Sequence, residues 1–94
     1  MKTIVIFRKW KDGGDIIALM PEVPSDTRGF YCESYQHIGQ HSGADYRGCI
    51  AASVPAKPEE YRDLARELRR LGYTLDIRTR ASRLAYQRRL AALA

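Results

Sequence analysis

The chain opens with Ile4, Val5, Ile6 and Phe7, a run that offers apolar side chains to both faces of an extended segment. Residues 3–10 are therefore predicted as the central strand of a sheet. Asp12, Gly13 and Gly14 follow, with glycines suited to the positive φ of a hairpin turn, and residues 16–20 make a second strand that ends at Pro21. Residues 21–28 are polar, hold two prolines and read as a connecting loop. From residue 29 to 37 the chain alternates, with Tyr31, Glu33, Tyr35 and His37 on one side and Phe30, Cys32, Ser34 and Gln36 on the other, which predicts a third strand. Residues 38–48 contain Gly39, Gly43 and Gly48 without apolar periodicity and read as a loop. A short fourth strand then runs over residues 49–54, before Pro55.

A different period begins at Pro58. Tyr61, Leu64, Ala65, Leu68 and Leu71 fall on one helical stripe, Pro58 suits the first helical position, and Glu59 and Glu60 face the positive end of the helix dipole. Gly72 stands where a left-handed C-terminal cap is expected. Tyr73, Leu75 and Ile77 then alternate with polar residues as a fifth strand. Ser82 would cap a last helix reaching Ala94, with Tyr86, Leu90 and Leu93 on one face. The order ββββαβα predicts an α+β fold, a mostly antiparallel sheet of about five strands with helices packed on one face.

At 94 residues the chain is expected to form a single domain over residues 1–94, with residues 81–94 as an arginine-rich helical appendage. The longest apolar run, residues 16–20, is far too short to span a bilayer, and the start of the chain lacks a secretory pattern, so a cytoplasmic setting is expected. In such a compartment both cysteines are expected as free thiols.

Charge sharpens the picture at one end. The formal net charge is +5, and Arg78, Arg80, Arg83, Arg88 and Arg89 supply all of it, because residues 1–77 sum to zero. Arg62, Arg66 and Arg70 in the long helix each follow an acid by three positions, so that face is read as solvated and ion-paired. The five C-terminal arginines have no such neighbours. They are candidate anion- or nucleic-acid-binding residues, since guanidinium suits bidentate contact with phosphate. The plain alternative is that they fold back onto acids such as Glu22 and Glu33.

Candidate chemistry concentrates between Cys32 and Cys49, which holds both cysteines and both histidines. His37, His41 and Asp45 lie four apart, and two histidines with a carboxylate suit a divalent metal such as zinc; no established zinc spacing is matched, and Gly39 and Gly43 oppose the helix that would align them. A cysteine activated by histidine is the thiol version of the same idea. Tyr31, Tyr35 and Tyr46 surround the loop and with Phe30 suit a stacking platform or partner-binding patch, or else core packing; Tyr31, Tyr35, His37, Gln40, His41, Asp45 and Tyr46 are the candidate binding residues.

The segments FRKWKDGGDIIALMPEVP, YCESYQHIGQHSGADY and PEEYRDLARELRRLGYTLDIRTR resemble a group of small uncharacterised bacterial proteins, often carried by phages and plasmids. The resemblance extends to about Arg80 and centres on Ser34-Tyr35, His37, Gly39-Gln40-His41 and Ala44-Asp45-Tyr46. It implies a small accessory domain, with the His37 to Tyr46 loop as the shared site, and supplies no activity.

Together these readings favour a non-enzymatic binding module that docks a protein partner or a nucleic-acid backbone. Inhibition of a host defence complex, of the anti-restriction or anti-CRISPR kind, is an analogy drawn from the resemblance. The alternative is a metal-dependent or thiol enzyme centred on His37, His41 and Asp45. The Tyr86, Leu90 and Leu93 face suits either burial on the chain's own sheet or a homodimer.

Overall fold

The computed structural model describes residues 2–37 and 40–94, with the backbone but not the side chain of Gln40. Strand β1, Thr3–Trp10, lies inside the sheet as its apolar run requires. It pairs antiparallel with β2, Ile16–Pro24, across a turn in which Gly13 and Gly14 take φ of 87° and 76°. Strand β3, Cys32–Gln36, pairs with β2, and β4, Gln40–Ala44, forms the outer strand beside β3. On the other side of β1, β5, Ser53–Pro55, pairs antiparallel with residues 8–10, while β6, Leu75–Arg78, pairs parallel with residues 3–6. Among the described residues the sheet thus has six strands, mostly antiparallel, in the order β4-β3-β2-β1-β5, with β6 also on β1. The fold is α+β.

Two local readings differ. Residues 40–44 form a strand where a loop is expected, and residues 46–51 form a short helix, α1, Tyr46–Ala51, so only Ser53 to Pro55 remains of the expected fourth strand. β2 also continues past Pro21. Its pairing with β3 shifts register between Met20 and Pro24, an irregularity that accommodates prolines unable to donate to the ladder.

Helix α2, Pro58–Arg70, begins and ends as its sequence dictates. The Lys57 amide donates to Glu60 Oε1 at 2.9 Å, Pro58 takes the first helical turn, and Gly72, at φ 109°, closes the helix. The amides of Gly72 and Tyr73 then reach the carbonyls of Arg69 and Leu68, satisfying the orphan acceptors of the last turn. Its stripe of Leu64, Ala65 and Leu68 packs on Val5, Phe7, Ala18, Met20 and Tyr35, and each buried leucine contributes roughly 1.5–3 kcal/mol. Phe7 and Tyr61 stack with centroids 4.4 Å apart.

The opposite sheet face carries a second core of Ile17, Leu19, Cys32 and Ala44, covered by Tyr46, Cys49 and Ile50 of α1. The helices are therefore divided between the two faces, and the expectation of a single covered face holds for α2 alone. The last helix, α3, Ala85–Ala91, is shorter than the predicted span. Ser82 makes a turn before it, its Oγ accepting from the Leu84 amide at 3.1 Å. α3 packs on β2, burying Ala85 and Arg89, while Tyr86, Leu90 and Leu93 stay partly exposed. Leu90 and Leu93 nonetheless lie against Gly29 of the chain's own β2–β3 loop.

Candidate anion-binding cleft

Arg8 and Arg89 have the same problem and the same solution. Each guanidinium is buried, and each directs its donors at uncharged acceptors. Arg8 reaches Ser53 Oγ, Ser53 O and Ile50 O, tying β1 to β5 and to the end of α1. Arg89 Nε donates to Gly29 O at 2.8 Å and Nη1 to Pro21 O at 2.9 Å, where β2 loses its register. The Arg89 bonds fix α3 against the β2–β3 loop. A further bond comes from the Ala81 amide, which donates to Tyr46 Oη at 3.0 Å and joins the α3 approach to α1.

Between these anchored pieces lies a cleft of about 540 Å³. Its aromatic walls are Phe30 from the β2–β3 loop, Tyr46 from α1 and Tyr86 from α3. Arg47, Arg83 and Arg89 line it from three different segments, with Asp45 as a single acid among them. Arg89 also sits 5.2 Å from the centroid of the Tyr86 ring, a cation–π arrangement that favours this ring position. Positive charge thus outnumbers negative three to one in a recess whose walls are aromatic. Such a recess suits an anion carrying a flat apolar group.

The five C-terminal arginines are not one surface. Arg78 is held by Asp76, through Nη2 to Oδ2 at 2.8 Å, a pairing that raises the arginine's pKa and lowers that of the aspartate. Arg88 pairs with Glu22 at 3.1 Å, the fold-back named as the plain alternative. Arg89 is structural as well as cleft-lining. Arg80 and Arg83 are exposed, and of these Arg83 faces the cleft.

The predicted patch is also divided. Tyr35 is buried in the α2-side core, with its ring edge-on to His41 at 4.7 Å. His41 Nε2 lies 3.0 Å from Tyr73 Oη, and His37 Nδ1 lies 3.4 Å from a Glu67 carboxylate oxygen. Tyr73 is pushed up in pKa, first by burial and then by Glu33. Asp45 and Tyr46 line the cleft on the other sheet face, Tyr31 is half-exposed beside Gly43, and the Gln40 side chain and Gly39 lie outside the described residues. His37 and His41 therefore have separate partners, and Asp45 lies apart from both in the cleft. Among the described residues, no group of three His, Cys, Asp or Glu side chains is placed to hold a metal ion.

The thiol arrangement is similarly unmade. Both cysteines are free; burial pushes Cys32 up to about 11, with Arg89 partly opposing it, and burial followed by the Asp45 carboxylate raises Cys49. Both groups therefore favour the protonated, weakly nucleophilic form. Among the described residues, no helix is long and apolar enough to cross a membrane.

Sequence reasoning marked Asp45, Tyr46, Arg83 and Arg89 but assigned them to two different sites. Arg47 belongs to no candidate set in the sequence and Tyr86 only to a possible dimer face, because the packing that brings them to one cleft joins α3 to residues far away in sequence. Comparison with family models, with curated proteins and with solved structures finds no match.

Proposed function

We propose that this chain is a small non-enzymatic binding module that captures a nucleic-acid backbone at the cleft between α1, the β2–β3 loop and α3. The observation that carries this reading is the convergence of Arg47, Arg83 and Arg89 on one recess. Arg89 is committed to two carbonyls and acts as the anchor of the wall, which leaves Arg47 and Arg83 as the exposed donors for phosphate oxygens. Arg80, exposed and three positions before Arg83 in the chain, adds positive charge outside the cleft lining. Arg78 and Arg88 contribute less, since each is answered by a carboxylate.

Backbone capture makes affinity depend on salt through counterion release. The test is binding of a labelled oligonucleotide, followed by fluorescence anisotropy at a series of salt concentrations, for the parent chain and for Arg47→Ala/Arg83→Ala. Removing two phosphate contacts on a single strand lowers the log–log salt slope by about 1.4. A salt-independent affinity, or an unchanged slope in the double variant, contradicts the proposal.

A further inference from the structure

The cleft has a property that electrostatics alone does not require. Phe30 is 57% exposed and Tyr86 is 45% exposed, and both stand on the wall of the recess that the arginines line. Large aromatics left in water beside cationic side chains are the pairing used to hold unstacked bases, because every base has a π-face and every linkage a phosphate. Building on the backbone-binding reading above, we infer that the cleft seats a base of a single-stranded nucleic acid against Phe30 and Tyr86, while Arg47 and Arg83 hold the flanking phosphates.

Three features support this occupant. The recess, at about 540 Å³, falls in the range of pockets that enclose a small ligand, which suits one nucleotide unit and excludes a duplex from its interior. The Tyr86 ring is already braced by the Arg89 guanidinium at 5.2 Å, so little freedom is lost when a base packs on it. Arg89 is in turn fixed by Pro21 O and Gly29 O, and Gly29 immediately precedes Phe30, so one hydrogen-bonded unit lies behind the Phe30 and Tyr86 walls. Bases in a duplex present only their edges, whereas a single strand can turn a base face into the recess. The chain is therefore selective for single strands, with tolerance for base identity.

The experiment measures binding of four labelled probes at fixed salt: a single strand, an abasic strand of equal length, the corresponding duplex, and a polyglutamate peptide. The parent chain is compared with Phe30→Ala, whose exposed ring has little part in the core, and with Tyr86→Ala, each checked for unchanged thermal unfolding. The base-bearing strand is expected to bind about tenfold more tightly than the abasic strand, the order of one stacking contact. Phe30→Ala and Tyr86→Ala are each expected to weaken binding of the base-bearing strand more than that of the abasic strand, and an undiminished base advantage in both variants would overturn the base seat. Equal binding of base-bearing, abasic and duplex probes would overturn the base seat and leave the backbone reading standing. Preference for polyglutamate, or no binding of any nucleic acid, would overturn both.

Discussion

The Nε of Arg89 donates to the carbonyl oxygen of Gly29 at 2.8 Å, joining a helix near the end of the chain to a loop sixty positions earlier. With the companion bond to Pro21 O, it serves one carbonyl in the irregular stretch of β2 and one in the loop that follows. Arg89→Met keeps much of the apolar stem but abandons both acceptors, and should destabilise the fold by about 2–4 kcal/mol in urea denaturation. Arg89→Lys retains the charge without the fork that spans two carbonyls, and should recover less than half of the loss. Stability equal to the parent in both variants would show that α3 is not held this way.

Gly29 itself is constrained twice. Its φ is +73°, and a Cβ at this position would lie 2.8 Å from Leu90 Cδ2. Gly29→Ala should therefore cost about 1–2 kcal/mol from the backbone alone, with a smaller addition as Leu90 gives way. Adding Leu90→Ala relieves the contact but not the backbone, so the double variant should remain less stable than Leu90→Ala by itself. Chemical denaturation of the three variants checks this ordering.

Cys32 reports whether the second core is closed. It is completely buried, with its pKa raised to about 11, whereas Cys49 is only partly covered. In the folded chain at mildly alkaline pH, a thiol reagent should modify Cys49 well before Cys32, and denaturant should bring both to similar rates, as followed by mass spectrometry. A thiol whose folded pKa is raised stabilises the fold fully below its ordinary value of 9.0 and ceases to do so as pH climbs through about 11. That part of the alkaline fall in stability should vanish in Cys32→Ala.

The acid limb has a different origin. Lys9 Nζ lies 2.6 Å from Glu60 Oε2, and this bond, followed by the Lys57 amide, holds the Glu60 carboxyl below its ordinary 4.5. A lowered carboxylate pKa stabilises the fold above the ordinary value, and the contribution is lost as pH falls through the depressed one. Glu60→Gln should flatten the fall in melting temperature below about pH 4.5 while preserving the helical content of α2, measured by circular dichroism across pH. An unchanged acid slope would mean that the pair contributes nothing to stability.

The central strand and the long helix were legible because their causes are local: an apolar run in β1, and a stripe with Pro58 at one end and Gly72 at the other in α2. β4 escaped because an edge strand of Gln, His, Ser, Gly and Ala has no apolar alternation to display, its order coming from pairing with β3. α1 escaped because six residues containing Gly48 make no measurable period. Arg8 and Arg89 look like surface residues in any reading of the chain, and only tertiary carbonyls reveal them as buried struts. The helix acid Glu67, matched by spacing to Arg70, instead faces His37, just after β3. In the cleft, the individual residues carry visible chemistry, but their grouping depends on α3 packing on β2 and the β2–β3 loop, which places it across the cleft from α1.

The most direct test of the cleft as the binding surface is an amide NMR titration of the isotopically labelled chain with a single-stranded oligonucleotide. The account predicts shifts concentrated at Phe30, Tyr46, Arg47 and the Arg83 to Tyr86 segment, with His37 and His41 on the α2 face nearly unmoved. Shifts centred on His37, His41 and Tyr73, with the cleft silent, would contradict it.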